Sequence, residues 1–238
     1  MRSINKQGQP EELIRWKAEN AATPQNLVYG GSFPGEGVRR WLLNEQFHLC
    51  AYTLRRMKTA AECQELGVDT RAACHIEHLL PQSRNVPGED IDYQNILACF
   101  PPSQSAVACE FGAHAKADFD PSNGGFVSPL SPAAEAHFAF DEQGGIRGTT
   151  VDGNSTIKVL KLDHKALVND RMAVIKGYLQ PKGKKVTAQA ARRLAAEVLK
   201  PDAQRRLPAY CQAVAQTAVL YAEREERRSA RLKNKAPQ

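Results

Sequence analysis

No apolar run in this chain approaches the roughly 20 residues that cross a membrane. The first residues place Asn5, Gln7 and Gln9 after Arg2 and Lys6, without the apolar stretch of a signal peptide. The expectation is a soluble, cytoplasmic protein with no membrane partner. No G-x-x-x-x-G-K-[ST] segment occurs, which excludes ATP hydrolysis by a P-loop, so any ATP dependence would come from a partner. The six cysteines stand at positions 50, 63, 74, 99, 109 and 211 and form no C-x-x-C pair. That spacing argues against a disulfide framework and for reduced thiols. Internal repeats, long low-complexity segments, zinc-finger spacing and RNA-recognition motifs are also missing, which leaves sequence specificity undefined.

The 238 residues are 42% hydrophobic and 24% charged, the composition of an ordinary globular protein of one or two domains. The formal charge of +6 is unevenly placed. Residues 182–238 carry 14 Lys/Arg against 5 Asp/Glu, a net +9, whereas residues 1–181 carry 18 against 21, a net −3. A basic extension can contact phosphates or an acidic protein surface, or can simply be a solvated helix face.

Three regions are expected: an arm over 1–35, a core over 36–155 and a basic helical region over 156–238 that could dock a partner. Gly8, Pro10, Pro24, Gly30, Gly31, Pro34 and Gly35 limit the arm to one short helix, Glu11 to about Glu19, laid over the body. Apolar spacing predicts a helix from Val38 to Cys50 and a shorter one before Gly67. A strand should begin near Ala72 and end at Glu77-His78, because Pro81 stops any helix there. Tyr93–Phe100 reads as the return strand or the start of a helix, followed by an insertion from Pro101-Pro102 to Cys109. Ala113–Phe119 reads as a helix, and Phe126–Leu130 and His137–Phe140 as strands. Helices interrupted near Asp163, then Ala188–Leu199 and Leu207–Leu232, complete an α+β, mainly α-helical chain.

The densest cluster of reactive side chains is Cys74-His75-Ile76-Glu77-His78-Leu79-Leu80-Pro81-Gln82-Ser83, with Asn95, His114 and Lys116 following. Phosphodiester hydrolysis needs an attacking water, a Lewis acid and a base, which one divalent cation and one neutral histidine supply. His78, with an ordinary pKa near 6.5, can be that base, and Glu77 can hold the cation. Adjacent strand residues face opposite sides, so the two can address a phosphate from different directions. His75, two positions from Glu77, shares its side and could support it.

The order Glu77-His78, Pro81, Asn95, His114 and Lys116 resembles the HNH (ββα-metal) endonucleases. The surrounding Glu45-Gln46, Leu49-Cys50-Ala51-Tyr52, Asp92-Tyr93-Gln94-Asn95-Ile96-Leu97 and Val127-Ser128-Pro129-Leu130 resemble the PtuB branch, found in Septu-type and retron-associated anti-phage systems. The similarity runs from about Lys6 to about Arg171.

This resemblance implies a ββα-metal core embedded between N-terminal helices and a C-terminal helical extension. It implies His78 as general base, Glu77 and His114 as metal ligands, and Lys116 on the scissile phosphate. Asn95 would either orient the base across the loop or bind metal through its amide, and His75 and Gln82 would support the ligands. His114 stands two residues before Lys116 where the family has three, and Glu77 replaces the usual Asp. Many relatives hold a structural zinc on two C-x-x-C pairs, but Thr53 and Gly112 stand at the second positions here, so buried inert thiols are expected instead. Mixed Glu, His and Asn donors favour one Mg²⁺ or Mn²⁺ ion. The implied partners are a nucleic-acid substrate, an ATPase of the PtuA type and, in the retron setting, a reverse transcriptase with its RNA-linked DNA. A DNase, an RNase acting on tRNA, and a catalytically silent nucleic-acid-binding or adaptor subunit remain open readings.

Overall fold

A computed structural model describes residues 1–103, 105 and 109–233. Part of the insertion expected between Pro102 and Cys109, and positions 234–238 of the basic region, lie outside the described residues. The chain is α+β and mainly helical, with two small two-stranded antiparallel sheets among the described residues. Among the described residues, no helix is long and apolar enough to cross a membrane.

The arm is anchored at both ends of its helix α1, Glu11–Glu19, which buries Leu13 and Trp16 and sets Glu11 and Glu12 in the first turn, where the helix dipole favours acids. Ahead of it, Met1 and Ile4 are buried, and the Ile4 amide donates to the Pro129 carbonyl at 2.7 Å. Lys6 donates to the Ile96 carbonyl at 2.6 Å, lies 3.3 Å from Glu45 and sits 4.0 Å above the Tyr93 ring. Glu45 also accepts from the Tyr93 hydroxyl at 2.8 Å. Burial lowers the Lys6 pKa to about 8, although Glu45 pulls it the other way.

Helix α2, Gly35–Glu45, starts earlier and ends earlier than its apolar spacing suggests. Phe47 and His48 take left-handed φ of 53° and 59°, which a right-handed helix does not accommodate. The turn aims the Gln46 side chain inward: its amide donates to the Leu49 and Ala98 carbonyls and accepts from the Ala98 N–H, the last two at 2.8 Å. Helix α3, Ala60–Glu65, opens with a reciprocal Thr59–Glu62 capping box and stops before Gly67, whose φ of +67° suits glycine.

Strands β1, His75–His78, and β2, Ile96–Cys99, pair antiparallel with His75 opposite Cys99 and His78 opposite Ile96. β2 is buried throughout, while β1 alternates half-buried His75 and Glu77 with buried Ile76 and His78. Helix α4, Ala113–Lys116, is a single turn, shorter than the expected Ala113–Phe119, because Ala117 leaves helical geometry at φ 45°.

The expected strand Phe126–Leu130 is a loop, held where the Val127 amide donates to Thr156 Oγ1 at 2.7 Å. The second sheet pairs β3, Phe138–Phe140, with β4, Ile146–Gly148. Helices α5, Val151–Leu160, and α6, Lys165–Leu179, break at Lys161–His164, so the position 155/156 falls inside α5. Arg171 on α6 is buried and donates to the Gly144 and Leu162 carbonyls. Helices α7, Ala188–Glu197, and α8, Cys211–Lys233, pack together. The chain ahead of α8 is tied to the body through Leu207 N–H to the Phe47 carbonyl and Tyr210 N–H to the Leu54 carbonyl.

Candidate active site

The end of β1 separates Glu77 and His78 as strand geometry requires, onto opposite faces of the ribbon. On one face, His78 is buried, and its Nε2 lies 2.8 Å from the Asp90 carbonyl. A carbonyl only accepts, so Nε2 carries the proton and Nδ1 of the neutral ring is left as the acceptor. No described residue bonds to Nδ1. Burial lowers the His78 pKa, and the bond to Asp90 offsets part of that shift. The Tyr29 ring meets the imidazole edge-on, with centroids 4.8 Å apart, while the Tyr29 amide donates to the Asp90 carboxylate at 2.7 Å. Thus the arm fixes the loop that fixes the histidine.

Asn95, at the start of β2, is buried and uses its whole amide on that loop. Its Oδ1 accepts from the Leu80 N–H at 2.6 Å, and its Nδ2 donates to the Leu80 and Glu89 carbonyls at 3.1 and 2.9 Å. Of the two roles left open in the sequence, bracing across the loop is the one these contacts match. Gln82 is exposed on the lip of an open cleft of about 610 Å³ between this loop and the arm, walled by Leu27, Val28, Pro81 and Val86. Among the described residues it makes no hydrogen bond to Glu77, His75 or His114, which it was expected to support.

On the other face, Glu77 Oε1 lies 3.1 Å from the Lys116 ammonium and 3.4 Å from the Tyr52 hydroxyl. Lys116 is buried and also donates to the His78 carbonyl at 2.9 Å. This differs from the expected phosphate contact: the one-turn helix aims the lysine under the ribbon rather than at solvent. Burial and the neighbouring Glu77 charge push the Tyr52 pKa well up, so it remains a phenol.

Glu77 Oε2 lies 3.9 Å from His75 Nε2. His75 Nδ1 donates to the Pro101 carbonyl, as the outer acceptors of metal-bound imidazoles receive theirs, so Nε2, the nitrogen facing Glu77, is where the ring takes up its proton and where it would have to give one up to bind a metal. Burial alone would lower the His75 pKa, but Glu77 and Pro101 outweigh it and the pKa is raised. His114 is exposed, with its ring 5.6 Å from that of His75.

One carboxylate and two imidazoles thus share a face, a donor set suited in kind to a divalent ion. Among the described residues, however, no three His, Cys, Asp or Glu side chains stand close enough to hold one as they are placed. His75 has the better claim as a direct donor than its sequence position suggested. The supports that sequence reasoning missed are Tyr29, Tyr52 and the Asp90 carbonyl. Tyr52 could have been noticed beside Cys50; a backbone carbonyl leaves no signal in a sequence.

Compared with known proteins, the chain matches no family model and no curated protein.

Proposed function

We propose that this protein is a metal-dependent endonuclease of the HNH type, acting as the nuclease subunit of an anti-phage complex with a PtuA-type ATPase. The observation that carries the reading is His78: its Nε2 is committed to the Asp90 carbonyl, its pKa is lowered, and Nδ1 is left to accept a proton from water. A divalent cation held by Glu77, with His75 and His114 at hand, would supply Lewis acidity to the phosphate and the leaving oxygen. Asn95 keeps the Asp90 loop in place, and Lys116 orients Glu77 from beneath. Water would add to phosphorus as His78 takes its proton, and the P–O3′ bond would break with O3′ taking a proton from solvent, leaving 5′-phosphate and 3′-hydroxyl ends, as the family resemblance implies.

The test is cleavage of labelled duplex DNA and of total tRNA with Mg²⁺ or Mn²⁺, by wild type and His78→Ala, alone and with the ATPase. Loss of one pool, abolished by His78→Ala, is expected. If wild type cuts neither pool under any of these conditions, the enzyme reading fails. A second reading, a silent nucleic-acid-binding subunit, is favoured by one feature: the buried Lys116 ammonium already neutralises the carboxylate that would otherwise take the metal.

A further inference from the structure

Helix α8 changes character along its length. Through Ala222 it is a packing helix that buries Ala213, Val214, Thr217, Ala218, Tyr221 and Ala222. From Glu226 through Leu232 every residue is exposed. In this outer part Arg224, Arg227, Arg228 and Arg231 recur at i, i+3, i+4 and i+7, which places four guanidinium groups on one face, where they line a shallow groove with Leu232. Arg224 pairs with Glu142, and Arg228 lies 3.9 Å from Glu225. Arg227 and Arg231 are in no ion pair among the described residues. Residues 227–233 contain four Lys/Arg and no acid.

Like charges at i, i+4 oppose each other on a helix, and Arg224/Arg228 and Arg227/Arg231 are two such pairs. Nothing in the fold requires this turn to be basic, since it covers no core. We infer that the outer turns of α8 grip the phosphodiester backbone of a nucleic acid, outside the Glu77–His78 site and without reading bases. This deepens the nuclease reading and rests on it only for the identity of the bound molecule as substrate. Residues 224 to 231 span about 10 Å along the axis, the length of roughly three phosphates of one strand. Charge complementarity favours a polyanion over a protein surface. The stripe offers Leu232 as its one large apolar side chain, without the aromatic anchors that dominate protein interfaces.

Fluorescence anisotropy of the full chain in EDTA, with a labelled 20-nucleotide single strand, the matching duplex and tRNA as probes, tests this without cleavage. Each phosphate neutralised contributes a salt slope of about 0.7 for single strands and 0.9 for duplex. Arg227→Gln/Arg231→Gln should therefore reduce the slope by about 1.4 to 1.8, and weaken binding about 25- to 60-fold at 0.1 M salt, with no sequence preference. Both positions are exposed, so the thermal melt should not move. An unchanged slope and affinity overturns the inference, as does a variant that loses binding to polyglutamate while keeping all three nucleic acids. Failure of the nuclease reading looks different: binding would be intact and Arg-dependent, with no cutting by wild type.

Discussion

Replacing Asn95 with Ala isolates what holds the candidate base in position. The amide makes three hydrogen bonds, to Leu80 N–H, the Leu80 carbonyl and the Glu89 carbonyl, and Asn95 is only 4% exposed. Removing it strips three backbone groups of their partners at about 1 kcal/mol each, so the loss should be about 3 kcal/mol. For a chain of this size, that corresponds to a fall in Tm of roughly 6 °C. Urea unfolding with matched m-values reads the same quantity. Asn95→Asp should be at least as damaging, because a carboxylate would face two carbonyls that now receive N–H groups. The loop also carries Asp90, so the His78 Nε2 contact should loosen and, with the carbonyl that raises it withdrawn, the imidazole pKa should fall further below 6.5, which NMR titration of the ring measures. A loss under about 1 kcal/mol with an unmoved His78 pKa would refute the bracing role.

Other perturbations follow from the same contacts. Lys116→Met leaves the Glu77 carboxylate without its cation and should cost about 3 kcal/mol by chemical denaturation, whereas a change of a few tenths would show that the pair is not structural. Gly144→Ala places a Cβ 2.2 Å from the Val168 carbonyl at φ +79°, and should cost more than about 2 kcal/mol in a thermal melt. Gly177→Ala, on exposed α6 surface with open space around it, should instead stabilise by about 0.7 kcal/mol; equal effects at the two glycines would contradict the packing described. The lowered His78 pKa keeps the ring neutral below pH 6.5, so the acid limb of any cleavage profile should fall below that value. Between the folded pKa and 6.5 the unfolded chain binds more protons, so this group withdraws stability as pH falls through that window. An acid limb above pH 6.5 would exclude His78 as the base.

The strand before Pro81 and the helix Glu11–Glu19 were legible because each rests on local signals, a proline and a 3.6-residue period, whereas Tyr93–Phe100 reads equally as a return strand or a helix start and is settled only by its pairing with β1. α2 ends short of its pattern because Phe47 and His48 adopt left-handed backbone that neither residue type advertises. β4 escaped because Ile146-Arg147-Gly148 is three residues long and is defined by its partner across the Gly144-Gly145 turn. The apolar run Phe126–Leu130 looked like a strand, yet it is pinned by Thr156 and by the arm instead of a neighbouring strand. Within the site, residue types were readable and directions were not. A helix of one turn has no periodicity to say that Lys116 points inward, and the partners of His78 and His75 are carbonyls of Asp90 and Pro101.

Gln46 gives the small ribbon a finished border. A primary amide has the same donor and acceptor as a peptide unit, and this one bonds both the N–H and the carbonyl of Ala98, as a third strand would at that position. The edge of β2 is thereby finished inside the protein by a side chain, joined by the Ala51 N–H, which donates to the same Ala98 carbonyl. Glu at position 46 would keep an acceptor but lose the donor, leaving the Ala98 carbonyl facing a negative charge. Because Gln46 and β2 are both buried, that charge would be stranded inside the fold, and loss of stability would be the first symptom.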